Sequence, residues 1–69
     1  MRVNFSSVFM INDKHYLPIY ITKFYSITIT PSDTFLPGVI FKGLDIAKLI
    51  GHDLEIEQYS NHVEIHGVY

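Results

Sequence analysis

The chain has 69 residues, no cysteine and a formal net charge of -2, and 48% of its residues are hydrophobic. This length holds one domain, and the lack of cysteine excludes disulfide bonds and thiolate zinc sites. The weakly negative charge excludes a global basic field for nucleic acid, and no run of residues approaches the roughly 20 apolar residues that span a bilayer. We therefore expect one cytoplasmic domain over residues 1–69, with no membrane contact and no cofactor.

The composition also indicates a partner. Only 17% of the residues are charged, and the chain carries five Tyr and five Phe, whereas soluble domains average roughly 25% charged residues. A chain this short buries only about 60% of its unfolded surface, and apolar patches that stay exposed usually mark an interface. We therefore expect a protein partner and a homodimer. The many isoleucines, with Lys, Asn, Tyr and Phe, are typical of an AT-rich genome, as in phages and mobile elements.

The first 21 residues predict a β-hairpin around a polar break, Asn12–His15. Apolar residues occupy odd positions on both sides of the break, which is the period of a half-buried strand. A three-residue loop, Asp13–His15, would place them all on one face, whereas a loop with an even number of residues would split them between faces. We predict the three-residue loop. Pro18 cannot donate a ladder hydrogen bond, so the second strand is predicted to be a sheet edge around Pro18–Ile21.

The middle of the chain predicts a long strand, a short strand and one helix. Tyr20–Thr30 is rich in β-branched and aromatic residues, and its length predicts a bend near Lys23–Ser26. After two loops that contain proline, Val39–Phe41 is predicted to form a short apolar strand. Leu44–Ile50 is predicted to form two turns of helix with Gly51 as its stop, and it must be docked to be stable.

The last segment gives the clearest strand pattern, because apolar and polar residues alternate on both sides of Ser60–Asn61. A two-residue turn there pairs Ile56 with Ile65. It also pairs Glu55 with His66, which keeps the apolar and polar sets on separate faces, and Asn61 suits a turn position with positive φ. With the preceding elements, this hairpin predicts an α+β fold of two antiparallel hairpins, a short strand and one short helix.

The polar side of this hairpin is one candidate surface. Glu57 would face Glu64 across the strands, which is an unfavourable like-charge pair. His62, Glu64 and His66 lie two apart, about 6 to 7 Å between neighbours, so two of them could share a metal ion but all three could hardly converge on one. We interpret the surface as a solvent-exposed face that could bind a partner and respond to pH, and keep a metal-dependent enzyme as a third hypothesis. Its members are Glu55, Glu57, His62, Glu64 and His66.

An aromatic-rich stretch is the other candidate surface. Among its residues only Lys23 is basic, whereas nucleic-acid platforms combine exposed aromatic side chains with several basic groups. We therefore expect these side chains to pack in the core or against a protein partner. The candidate partner-binding residues are Tyr16, Pro18, Tyr20, Phe24 and Tyr25.

No pattern of catalytic residues is present. Ser7, Asp13 and His15 can be arranged on paper as a nucleophilic triad, but nothing in their spacing supports one. The chain has no phosphate loop, dinucleotide fingerprint or metalloprotease motif. We expect no catalytic residue, no metal site and no enzyme activity.

A short motif pattern occupies the second half of the chain, where Pro37, Lys42–Gly43 and Gly51 precede the hairpin Leu54–Ile65. A proline before a short strand ending in Lys-Gly, a short helix closed by glycine, and a strand pair follow one another in the SymE-type toxin domain, a relative of the AbrB swapped-hairpin fold. This half of the chain resembles that domain, although the family's tryptophan and second glycine loop are missing. The resemblance implies a swapped dimer that contacts nucleic acid. The candidate basic residues for that contact are Arg2, Lys42 and Lys48.

Two functional hypotheses follow. The first is a non-enzymatic binding protein, such as a phage or mobile-element inhibitor that occupies a site on a host protein by adding an edge strand to its sheet. Phe41–His52, which resembles a helix of phage antirepressor domains, points to the same source. The alternative is a SymE-like or AbrB-like nucleic-acid-binding toxin or regulator, whose binding would weaken steeply with salt.

Overall fold

The computed structural model describes Met1–Tyr69 as seven short strands and two single-turn 3-10 helices, so the chain is β-rich with almost no helix. The helices are Phe5–Ser7 and Ile46–Lys48, and neither has the length or the apolar character needed to cross a bilayer. The strands are β1 (Arg2–Asn4), β2 (Phe9–Asn12), β3 (His15–Pro18), β4 (Thr22–Phe24), β5 (Ile27–Ile29), β6 (Asp53–Gln58) and β7 (Val63–Val68).

Five strands form one mixed sheet in the order β1-β6-β7-β4-β5, and β2 and β3 form a separate two-stranded sheet. Only β4 and β7 run parallel, with Thr22 aligned to Val63. The other neighbours in the large sheet are antiparallel. The sheet therefore brings together strands that lie far apart in the sequence, with the C-terminal hairpin at its centre.

The core lies on one face of the large sheet. Alternate residues of β6 and β7 are buried because successive strand residues point to opposite faces. The accessible surface is 4268 Å², close to the roughly 4,450 Å² that a folded monomer of this mass exposes. The chain is therefore about as compact as a typical monomer of this mass. The core residues are Val8, Phe9, Ile29, Phe35, Leu44, Ile46, Leu49, Leu54, Ile56, Val63 and Ile65.

The first hairpin differs from the prediction in its loop. β2 and β3 are joined by two residues, Asp13–Lys14, whose φ angles are 51° and 72°. Positive φ at both positions is the type I′ geometry that matches the twist of paired strands, and it replaces the predicted three-residue loop Asp13–His15. Odd positions therefore pair with even ones, such as Phe9 with Pro18, and the predicted single apolar face is split.

The segment Pro18–Ile21 was predicted to be a free edge, but it connects the two sheets. The Ile19 N–H donates to the Val8 carbonyl at 2.8 Å, and the Ile21 carbonyl accepts from the Val63 N–H at 2.9 Å. Pro18 is buried at the end of β3. Because the Pro18 position is not a hydrogen-bonded pair of the β2–β3 ladder, the missing N–H leaves no gap there.

The predicted long strand Tyr20–Thr30 is divided into β4 and β5. The chain reverses at Tyr25–Ser26, with Tyr25 at a φ of 56°, and Phe24 pairs with Ile27. The turn falls within the predicted bend, Lys23–Ser26, but it is a complete hairpin rather than a bend.

The predicted helix Leu44–Ile50 is reduced to the single 3-10 turn Ile46–Lys48. Gly51 follows it at a φ of 81°, at the predicted stop. The predicted strand Val39–Phe41 is absent, and Phe41 instead forms an isolated bridge with Leu44. Seven residues are too few for a helix that is stable alone, and side-chain burial holds the segment in an irregular path. The buried side chains are Leu44, Ile46 and Leu49.

The C-terminal hairpin confirms most of the predicted register. β6 and β7 pair around Ser60–Asn61 with Ile56 opposite Ile65, as predicted. Glu55 does not face His66, because the register shifts by one residue and leaves His66 as the extra residue of a β-bulge. Asn61 does not take the positive φ that was predicted for it.

Candidate functional site

The small sheet leaves one strand edge unpaired. The Tyr16 N–H and carbonyl bond the Phe35 carbonyl and N–H at 2.8 and 2.7 Å, so they point away from β2. The alternation of an antiparallel ladder then gives the β2–β3 bonds to Met10 and Asn12. The Ile11 N–H and carbonyl point to the other side of β2, where no strand pairs. β2 therefore offers a free backbone donor and a free acceptor.

An apolar groove of about 470 Å³, here called the β2 groove, lies beside this edge. Phe5 stacks on Phe9 with ring centroids 4.9 Å apart and meets Tyr16 edge-on at 5.7 Å, which makes one side of the groove rigid. Met10 and Ile11 are 49% and 58% exposed. Natural proteins normally protect a strand edge that carries exposed apolar residues, because it can pair with another chain. The apolar lining residues are Phe5, Phe9, Met10, Ile11, Tyr16 and Ile50.

The structure separates the five residues predicted to bind a partner. Tyr16 lines the β2 groove, Pro18 is buried, and Tyr20 is exposed in the connection between the sheets. Phe24 and Tyr25 lie together at the β4–β5 turn, with ring centroids 4.6 Å apart. The chain changes sheet after Pro18 and reverses at Tyr25, so these side chains do not form one aromatic edge. Their role in binding stays a prediction.

A second apolar groove, of about 390 Å³, surrounds Ile40, which is 72% exposed. We call it the Ile40 groove. Phe24 of β4 and Val68 of β7 contribute to its lining, together with Leu44, Leu49 and Lys48. Phe24 is paired on both sides, whereas Val68 lies beyond the β4–β7 pairing, which covers Val63–Ile65, and is paired with β6 alone. This groove is therefore lined mainly by apolar side chains and lies at the end of β7 rather than along a free strand edge.

The polar-face candidates lie on the face of the large sheet opposite the core, where Glu57 and Glu64 are directly opposed. The His66 Nε2 atom lies 3.4 Å from a carboxylate oxygen of Glu57 and 3.4 Å from one of Glu64. The His62 Nε2 atom lies 3.1 Å from the other Glu64 oxygen, and its ring stacks on Tyr59 at 4.6 Å. The structure thus brings four of the five candidates together. The metal hypothesis grouped His62 with Glu64 and His66, but the side chain that completes a close group with Glu64 and His66 is that of Glu57.

Three contacts shift pKa values on this face. The Tyr59 hydroxyl is a donor beside the Glu57 carboxylate, and this interaction raises the pKa of Tyr59. Glu55, the fifth candidate, accepts hydrogen bonds from the Met1 ammonium and the Tyr69 hydroxyl. The ammonium bond first, and then the Tyr69 bond, lower the pKa of Glu55, and the same contact raises the pKa of Tyr69. The Glu55 carboxylate is therefore engaged in hydrogen bonds within the chain.

The basic candidates for nucleic-acid contact are engaged or dispersed. Arg2 bonds Asp53 at 2.9 Å. Lys42 bonds Asp33 at 2.9 Å, and this bond, with the backbone N–H of Thr30, lowers the pKa of Asp33. The third candidate, Lys48, lines the Ile40 groove. Two of the three cations are thus neutralised by carboxylates, which reduces the positive charge that they can offer to phosphates.

The three residues considered as a nucleophilic triad, Ser7, Asp13 and His15, have local structural roles. The Ser7 N–H and hydroxyl donate to the Asn4 side-chain oxygen at 3.0 and 2.9 Å, which caps the first 3-10 helix. The His15 Nδ1 atom lies 3.1 Å from the Asp13 carbonyl oxygen. No hydrogen bond links Ser7 to the other two residues, and Asp13 meets His15 only through its backbone carbonyl, so the geometry gives no support for a nucleophilic site.

The sequence analysis missed the residues that build the β2 groove. One signal was present, since Met10 and Ile11 are adjacent apolar residues in a strand whose faces should alternate. Two apolar neighbours on opposite faces require a second covering surface or a partner. The contributions of Phe5 and Ile50 had no local signal, because only the tertiary fold brings them beside β2.

Comparison with known proteins does not assign a family. No family model, curated protein or solved structure matches this chain, so the case for a function rests on its own surfaces.

Proposed function

We propose that this chain is a non-enzymatic binding module that captures an extended segment of a partner protein on the free edge of β2. The observation that carries the proposal is the combination on one strand of the unpaired Ile11 N–H and carbonyl with the apolar β2 groove. Added strands obtain affinity from backbone hydrogen bonds and specificity from side-chain pockets. The β2 edge supplies both.

The chemistry of the groove limits the partner segment. Six of the seven lining residues are hydrophobic and none is charged, so a charged side chain placed there would lose hydration without a counterion. Alternate residues of an added strand face the same side. The proposed ligand is therefore an extended segment with apolar residues at alternating positions.

The composition supports a narrower version of the proposal. Its AT-rich coding bias suggests a phage or mobile-element inhibitor that acts in the cytoplasm on a host protein. The same edge could also pair with a second copy of the chain, which would give a homodimer with a continuous four-stranded small sheet. Size-exclusion chromatography with light scattering distinguishes the two partners.

Matched lysine substitutions test the proposal. Ile11→Lys places a charge on the free edge of β2, and Ile40→Lys makes the same change in the Ile40 groove. Both side chains are exposed, at 58% and 72%, so we expect both variants to keep the wild-type fold by circular dichroism. Tagged full-length proteins are used to capture partners from cells after nuclease treatment, and the affinity for the captured protein is then measured by calorimetry.

We expect Ile11→Lys to lose the partner and Ile40→Lys to retain it. The reverse pattern would move the binding surface to the Ile40 groove and refute the β2 assignment. Captured material that disappears with nuclease and weakens steeply with salt would instead support the nucleic-acid alternative.

A further inference from the structure

The cluster of Glu57, Glu64 and His66 on the polar face has an electrostatic imbalance. Glu57 and Glu64 are directly opposed across β6 and β7, and opposed like charges destabilise a strand pair. Their ion-pair partners are histidines alone, and Lys23, beside Glu64 on the neighbouring strand β4, makes no ion pair with either carboxylate. A cation bound between Glu57 and Glu64 would therefore relieve their mutual repulsion.

The position of His66 fits shared coordination better than hydrogen bonding. Its Nε2 atom is 3.4 Å from one oxygen of each carboxylate, which is longer than the 2.7–3.2 Å of N–H···O hydrogen bonds. Ligands on a tetrahedral zinc ion with bonds of 2.0–2.1 Å are about 3.3–3.5 Å apart. The three donor atoms lie within 4.8 Å of one another, so rotation of the exposed Glu57 side chain is enough to bring all three within bonding distance of one ion.

The β-bulge and His62 organise this cluster. His66 is the extra residue of the bulge, and bulges redirect side chains next to sites. His62, whose side chain is 15% exposed, holds one oxygen of Glu64 at 3.1 Å. The other Glu64 oxygen is left to face His66. Ligands oriented by a hydrogen-bonded neighbour in this way are a general feature of metal sites.

We propose that Glu57, Glu64 and His66 form a Zn²⁺ site with three protein ligands, and that His62 is its positioning residue. The imidazole ligand selects zinc over Mg²⁺ and Ca²⁺, which prefer sets made only of oxygen. A neighbouring cavity of about 190 Å³, lined in part by Lys23 and Tyr25, leaves room for water or a partner's side chain at the fourth position. The proposal does not depend on the function of the β2 edge, which lies on the other sheet.

Calorimetric titration of the full-length protein with ZnCl₂, in a buffer that does not bind zinc, tests the site. We expect one Zn²⁺ per chain and a rise in Tm with zinc, neither of which excess MgCl₂ should reproduce. His66→Gln and Glu57→Gln should each abolish the 1:1 binding. His15→Gln is the matched control, because it removes an exposed imidazole at the β2–β3 turn and should leave the titration unchanged.

His62→Phe keeps the ring that stacks on Tyr59 but loses the bond to Glu64. Removal of such outer contacts lowers metal affinity roughly 10–100-fold, so we expect a loss of this size with little change in the Tm of the zinc-free protein. Co²⁺ in place of Zn²⁺ should give the visible absorption of a tetrahedral site in the wild type and not in His66→Gln. Absence of zinc binding, or equal binding in wild type and His66→Gln, would overturn the proposal.

Discussion

The side chain of Asp45 joins the loop at Gly38 to the 3-10 turn Ile46–Lys48. Its Oδ1 atom accepts hydrogen bonds from the N–H groups of Gly38 and Ala47, each at 3.0 Å. The second bond is an N-terminal cap, and removal of such a cap costs about 0.5–2 kcal/mol. Loss of the Gly38 bond adds about 0.5–1.5 kcal/mol. We therefore expect Asp45→Ala to lower the free energy of unfolding by about 1–3.5 kcal/mol.

This loss is large for a chain of this size. At about 0.05–0.15 kcal/mol per residue, the total stability is roughly 3–10 kcal/mol. Each kcal/mol shifts the Tm of such a small domain by about 4–8 °C. Urea denaturation followed by circular dichroism measures the change, and an unchanged m-value would show that the native and denatured states keep their compactness.

Asp45→Asn is the matched control, since its side-chain oxygen can still accept both bonds. We expect it to keep most of the stability that Asp45→Ala loses. Amide hydrogen exchange should become faster at Gly38 and Ala47 in Asp45→Ala and stay slow in Asp45→Asn. Equal losses in the two variants would show that the charge matters rather than the two hydrogen bonds, and would refute the reasoning.

Two further changes test the electrostatics and the core. Asp33 has a pKa below its usual value of 3.8 because of its bond to Lys42. Its contribution to the free energy of unfolding is therefore fully present above pH 3.8 and is lost as the pH falls through the lower pKa of the folded state. Because Lys42 is exposed to solvent, Asp33→Asn should lower the free energy of unfolding by only about 0.5–1 kcal/mol at neutral pH, and by less below pH 3. Urea titrations that give an equal loss at both pH values would contradict this. Ile46 is fully buried, so Ile46→Ala should cost about 2–5 kcal/mol and Ile46→Val about 0.5–1.5 kcal/mol. Thermal denaturation that places Ile46→Ala within 1 kcal/mol of the wild type would show that its environment collapses to fill the space.

The C-terminal hairpin could be predicted because several local signals agree. Both strands alternate with period two, and the turn at Ser60–Asn61 fits the register that puts Ile56 opposite Ile65. The bulge at His66 was missed, although it moves the apolar positions of β7 from the odd-numbered Val63 and Ile65 to the even-numbered Val68, which pairs with the buried Leu54. The alternation therefore predicts that these polar residues share one face of the hairpin, but it does not predict the distances between their side chains.

The middle of the chain shows where local patterns fail. Leu44–Ile50 has the spacing of a short helix, but the burial of Leu44 and Leu49 and the bridge to Phe41 fix a different path. The pairing of β4 with β7 joins residues that are about forty positions apart, and no local pattern encodes such a contact. The free edge of β2 has the same origin, since it follows from the loop Asp13–Lys14 and from the pairing of β3 with Phe35.

The strand order of the large sheet also determines the order in which its strands can pair during folding. β1 pairs only with β6, and β4 obtains its parallel neighbour only when β7 is available. The hairpins β2–β3 and β4–β5 can close early because their strands are adjacent in the chain, but they cannot enclose a core alone. During synthesis the first strand thus has no partner until β6 has been made. Formation of the large sheet should therefore wait for the β6–β7 hairpin, with which the earlier strands pair, and be slowed by closure of long loops.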